Sequence, residues 1–250
     1  MPNLAQIDQT LRASLRLAQP AVAVCLTREL PAGVQPWTGP SPAGCRFWEE
    51  AATRTFATTA RQHDLCAIGI YTHNLESTPA TDTDLGDALK VFGDLGYARP
   101  EDVAQIPVLG ERPEYVVYAP LAESPAPPDV VLLFVKANQV LILSEAAQQV
   151  DGGFPPAMGR PACAVVPQAV NSGKAAVSLG CCGARAYLDV LSEDVALFAI
   201  PGPKLEAFAA RLAQLSQANA VLTQFHTIRR ADVAAGKTPT VRESLAAMQA

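Results

Sequence analysis

Charge is scarce in this chain. Aspartate, glutamate, lysine and arginine make up 17% of its 250 residues, where a soluble domain usually carries roughly 25%. The 19 basic residues fall short of the 24 acidic ones, the formal charge is −5, and no basic stripe stands out. That excludes the electrostatic footprint of a nucleic-acid binder. Long apolar runs are missing too. They stop at six residues, as in Val130 to Val135 before Lys136, against the ~20 that a membrane span needs. The opening MPNLAQIDQTLRASLRLAQP carries Arg12 and Arg16 inside its apolar pattern and is not read as a targeting peptide. The expected compartment is therefore the cytoplasm. Neither a C-x-x-C pair of the kind zinc ribbons use nor a Gly-x-Ser-x-Gly elbow occurs, and the glycines match no phosphate loop or dinucleotide fingerprint. There are only three histidines.

Hydrophobic residues, by contrast, reach 49%. That is too apolar for disorder and enough to bury an ample core. No linker stands out, so residues 1–250 are expected to form one compact unit. Leu4, Ile7, Leu11 and Leu15 repeat at helical spacing, as do Leu85, Ala88, Leu89, Phe92 and Leu95, and again Leu205, Phe208, Leu212 and Leu215. A helix is also expected over Ala137 to Val150. Ser41-Pro42 would open a helix carrying Cys45, Phe47 and Trp48, and Pro161 a further one ending near Pro167 or Gly173. Strands are expected at Ala21 to Leu26, Thr55 to Thr59, Tyr115 to Ala119, Val130 to Val135, Ala175 to Leu179 and Val195 to Ile200, and another from Cys66 to Thr72. Irregular alternation of these elements predicts an α/β class with a mixed sheet.

Two stretches look alike. PAGCRFWEEA, TFATTA and LCAIGIYTHNL in the first correspond to RPACAVVPQA, KAAVSL and GCCGARAYLDVL in the second. The pseudo-repeat covers 40–75 and 158–191, and implies two related halves, each bringing two cysteines to one place.

Those cysteines are Cys45, Cys66, Cys163 and Cys181. Cys45 and Cys163 follow a proline near expected helix N-termini, where free N–H groups favour the thiolate. Cys66 and Cys181 lie beside Gly69, Gly180 and Gly183, residues that let backbone approach a bulky cofactor. Four thiolates suit an iron–sulfur cluster or, alternatively, zinc. Cysteine also packs as a small hydrophobe, which is how Cys25 in AVAVCL is read. Cys182, next to Cys181, is a spare ligand, a reactive thiol or core. His73, in the segment of Cys66, Tyr71 and Asn74, is the candidate proton donor or ligand; His63 competes with it, its other reading being a surface loop. Arg185 in GCCGAR is a candidate anion binder, an ordinary salt bridge being the competing reading. His73 and Arg185 are thus the candidate catalytic residues. His226 reads as surface.

At PAVAV, PAGCRFWEEA, HDLCAIGIYTHNL, RPACAVVPQA and SLGCCGARAYLDVL followed by AIPG, the chain resembles the archaeal conserved region (ArCR) family, domain of unknown function 169, from about residue 4 to about 215. The resemblance implies cysteines at the places of Cys45, Cys66, Cys163 and Cys181, and no established reaction. Three expectations compete. One is a cytoplasmic iron–sulfur protein with a redox or cluster-assisted enzymatic role. Another is a metal-free thiol enzyme with a cysteine nucleophile and a histidine base. The third is a non-catalytic metal-binding sensor or structural protein. The expected partner is a small-molecule ligand or a redox partner, with neither nucleic acid nor membrane; homo-oligomerisation is compatible with the sequence.

Overall fold

The computed structural model describes residues 3–40, 43–63 and 65–249. Along the chain lie α1 (Leu4–Leu15), β1 (Val22–Thr27), α2 (Arg46–Glu50), β2 (Phe56–Thr58), α3 (Ala67–Thr72), α4 (Pro79–Asp94), α5 (Pro100–Val103) and β3 (Tyr115–Pro120). Then follow β4 (Val130–Val135), α6 (Ala137–Asp151), β5 (Ala157–Met158), α7 (Val165–Ser172), β6 (Ala176–Ser178), β7 (Ala196–Pro201), α8 (Leu205–Ala234) and α9 (Val241–Gln249). The strands form one mixed sheet in the order β2-β3-β1-β4-β7-β6-β5. Neighbours are antiparallel except the parallel pair β5 and β6.

Period-two alternation sorts the strand residues into two layers. Val22, Val24, Leu132 and Phe134 face one cluster; Ala21, Ala23, Val131, Leu133 and Val135 face the other. The second layer is covered by α1, α6 and the first half of α8, through Leu11, Leu143 and Phe208. On the first lie α2, α3 and α7 with an aromatic knot, in which the Phe47 ring sits 5.7 Å from Phe56 and 5.6 Å from Tyr118. Because both faces are covered, β4 is apolar throughout and reads as VVLLFV.

Outward from the centre the order is β1-β3-β2 on one side and β4-β7-β6 on the other. Val22 pairs with Pro120 where Val130 pairs with Pro201, and a tight 3₁₀ turn follows each proline. Helices α2 and α3 with β2 belong to the first of the two similar segments, and α7 with β6 to the second.

One expected strand is a helix. Cys66 to Thr72 folds as α3, with Cys66 at its N-cap. The free edge of β2, where a new strand would have to pair, is already engaged. Trp37 N–H donates to Ala57 O at 2.7 Å and Ala57 N–H to Gln35 O at 3.0 Å. A segment without a ladder partner satisfies its own backbone by coiling. The expected helix start at Ser41-Pro42 lies outside the described residues. Pro167 does not stop α7, because it falls in the first turn, where no N–H partner is needed; the helix ends at Gly173.

Candidate functional site

The first layer of the sheet carries an open cavity of about 640 Å³, and Cys45, Cys66, Cys163, Cys181 and Cys182 all line it. They arrive from separate elements. Cys45 caps α2, Cys66 caps α3, Cys163 sits in the 3₁₀ turn before α7, and Cys181 precedes the π-helical turn Gly183–Tyr187. Cys25 lies elsewhere, buried against Val34, Ala57 and Val117. Cys182 is exposed at the mouth.

The thiols act on one another. Cys45 donates a hydrogen bond to the Cys163 sulfur, which holds the Cys45 thiol well above the usual range, with burial adding to the effect. The same bond lowers Cys163, as does Thr72, whose Oγ1 lies 3.3 Å from that sulfur. Burial, with the Cys163 charge next, pushes Cys66 up to about 11. Of these three Cys163 is the first to ionise, and its charge discourages the others. Further donors reach the sulfurs. Backbone N–H groups of Gly44 and Gly69 approach Cys66, and Ala184 N–H approaches the Cys181 sulfur at 3.4 Å. Gly69 must be glycine, since a Cβ there would stand 2.7 Å from the Cys66 sulfur.

Beneath the thiols lie two buried imidazoles, their ring centroids 6.3 Å apart. His63 is no surface-loop residue; it is 1% exposed, wedged 5.1 Å from the Phe47 ring. Its Nε2 lies 3.0 Å from Thr58 Oγ1, which lies 3.2 Å from Val116 O. Both bonds form only if Thr58 donates to the carbonyl and His63 Nε2–H donates to Thr58. That leaves His63 Nδ1 a bare lone pair, and it has no partner. By the same reasoning His73 Nδ1–H donates to Gly69 O at 3.1 Å, and Nε2 is bare and unpartnered. The Thr72 hydroxyl proton then has two acceptors in reach, the Cys163 sulfur at 3.3 Å and Gly69 O at 3.2 Å. His73 therefore braces the thiol shell and is not among the residues lining the cavity.

Arg185 is committed to the backbone. Its guanidinium donates to Leu179 O at 2.6 Å, Val195 O at 2.9 Å, Leu191 O at 3.4 Å and Ser192 O. Among the described residues it makes no ion pair. It packs over Gly180, pinning the loop that presents Cys181. Arg185→Ala is expected to cost about 1–2 kcal/mol in urea unfolding, because four carbonyls, two of them in part-buried bonds, lose a charged donor. Arg185→Lys should recover little, since one ammonium cannot span that set of carbonyls.

The residues can be tested against a metal group. Among the described residues no set of three or more His, Cys, Asp and Glu closes on one point as a single ion requires; a tetrahedral ion with bonds of ~2.3 Å needs its ligands within about 4 Å of one another. A multi-iron cluster is a larger body, with ligands spread around it. Thiols from separate elements, N–H donors to sulfur and a nearly all-apolar surround are the chemistry it takes. The donor types, thiols with N–H groups near them, are those such a cluster uses.

A mixed sheet between helical layers, with cysteines gathered on a cavity of one face, defines the class. Its family follows from the sequence as a whole: the model of the uncharacterised ArCR family, domain of unknown function 169, matches residues 10–211, and the chain belongs to that family. No curated protein and no solved structure matches the chain. No described helix is long and apolar enough to cross a membrane. The histidine pair and the commitment of Arg185 to carbonyls escaped sequence reasoning. The spacing of His63 from Cys66 was visible, but only the fold turns it inward.

Proposed function

We propose that Cys45, Cys66, Cys163 and Cys181 hold an iron–sulfur cluster at the floor of the cavity, and that the protein uses it in a redox or cluster-assisted reaction on a small molecule bound above. The observation carrying this reading is the gathering of the four sulfurs, from four separate elements, on the wall of one open cavity. When bound, such a group supplies electron transfer or Lewis acidity. The chain's own residues do the rest. Thr72 and the backbone N–H groups of Gly44, Gly69 and Ala184 donate toward the sulfurs, and cluster loading displaces the thiol protons, including those of Cys45 and Cys66, whose thiols are held above the usual range. His73 and Arg185 are positioning residues: one fixes Thr72 against Cys163, the other fixes the Cys181 loop. A cavity against the site favours access over a purely structural or sensing metal. The same reading implies a reducing compartment such as the cytoplasm and an electron partner or small-molecule substrate.

A second reading is favoured by one specific observation. Cys163 has its pKa lowered, where Cys25, Cys45 and Cys66 are raised, so it could serve a metal-free enzyme as nucleophile. Anaerobic purification with a visible spectrum and iron and sulfide analysis separates the two. The cluster reading expects brown protein whose iron falls to near zero in each of Cys45→Ser, Cys66→Ser, Cys163→Ser and Cys181→Ser but persists in Cys25→Ser and Cys182→Ser. Colourless, iron-free wild type with Cys163 alkylated far faster than the other thiols would replace it with the nucleophile reading.

A further inference from the structure

Arg160 is the one lysine or arginine among the described residues that line the cavity. It stands two residues before Ala162 and three before Cys163, on the same wall. Its Nη1 donates to Tyr97 O at 2.7 Å, and its guanidinium lies over the Tyr97 ring. Those contacts hold the side chain in place; among the described residues Nε and Nη2 make no hydrogen bond, although the Arg160 charge is felt by Asp102. No carboxylate among the described residues comes within ion-pair distance of it. Of the two aspartates on the cavity wall, Asp102 is taken by Arg99, with Nη2 at 2.6 Å and Nε at 3.0 Å, and Asp84 has no described ion pair with Arg160. A fixed guanidinium with free N–H groups is a receptor for a planar or tetrahedral anion.

Apart from Asp84, Asp102, two tyrosines and the cysteines, the rest of the wall is largely apolar. The α4 stripe contributes Ala88, Leu89 and Phe92, and Ile68, Ile106 and Leu188 face it. Helix α4 buries only Thr81 among its described residues, so its apolar stripe serves the cavity more than the core. An apolar groove with one free cation matches an amphipathic molecule.

We propose that the cavity binds an organic anion with an apolar aliphatic or aromatic body, its carboxylate or phosphate held by Arg160 and its body laid along α4, close to the four thiols. As the substrate class of the proposed site, it rests on the reading that the cysteine-lined cavity is where the protein works.

Calorimetric titration of the full chain with octanoate, octyl phosphate, octan-1-ol and octylamine tests it. The two anions are expected to bind, the alcohol more weakly, and the amine weakest. Arg160→Gln should weaken octanoate about tenfold or more, the loss of a charge-assisted pair, and leave octan-1-ol within about twofold. Leu89→Glu, at a half-buried site, should weaken octanoate, octyl phosphate and octan-1-ol. The better of octanoate and octyl phosphate identifies the headgroup. Octylamine binding as well as octanoate, or Arg160→Gln leaving octanoate unchanged, overturns the proposal. The same titrations on cluster-free Cys163→Ser separate its failure from that of the cluster reading: Arg160-dependent octanoate binding there, with wild type iron-free, keeps the anion site and removes only the cluster.

Discussion

Gly202→Ala is expected to leave little folded protein. Gly202 follows β7 directly, and its N–H donates to Asp129 O at 2.8 Å across the start of β4. A Cβ on this backbone would lie 1.6 Å from Pro128 O and 2.7 Å from Pro128 C. Both are backbone atoms, so no side-chain rotation relieves the overlap. Relief requires parting β4 from β7 at the register pair Val130 and Pro201, in the middle of the sheet. The cost is on the order of 4–5 kcal/mol or more, the range in which a strained or overpacked site unfolds a marginal protein. Gly153→Ala, where a Cβ meets nothing within 4 Å, is the comparator and should be nearly neutral. A Gly202→Ala midpoint in urea within about 1 kcal/mol of wild type would show that the β4–β7 junction yields more easily than its geometry allows.

The second large effect is a loss of stability on mild acidification. Burial, reinforced by His73, takes His63 from an ordinary 6.5 down to about 3; burial takes His73 down to about 4. Below pH 6.5 the unfolded chain binds protons that the native protein refuses. The stabilisation from these neutral rings is therefore complete above pH 6.5 and is lost as pH falls toward 4. Each ring contributes about 1.4 kcal/mol per pH unit in that window, and the pair several kcal/mol overall. Urea midpoints should drop steeply between pH 7 and 5, above the range where most carboxylates titrate. His63→Asn and His73→Asn should each remove about one proton from the slope. Nitrogen NMR provides an independent check: His63 should remain the Nε2–H tautomer and His73 the Nδ1–H tautomer down to pH 5. An imidazolium signal from either ring at pH 6 would contradict this account.

Much of the architecture was legible in the chain. Leu4, Ile7, Leu11 and Leu15 repeat at the period of a helix, and VVLLFV between Asp129 and Lys136 reads as a strand, as found in β4. Such local patterns respond to burial on one side or two, which is a property of the segment itself. Cys45, Cys66, Cys163 and Cys181 were singled out in the two similar segments, and all four line one cavity. Other features depended on partners distant in sequence. Residues 66–72 carry strand-forming residues, yet residues 35–37 already occupy the edge they would join, so they coil. His63 looks like a loop residue until Thr58, Val116 and Phe47 enclose it. Arg185 looks like an anion binder until four carbonyls from 179–195 surround its guanidinium, and Arg160, which nothing nearby in the chain marks out, is the cation left free on the cavity wall. The sequence by itself determined the helical and pleated periods, since these follow from neighbours along the chain. Which polar groups are spent internally, and which remain free to meet a ligand, only the tertiary structure decided, because hydrogen-bond partners are assigned by proximity in space.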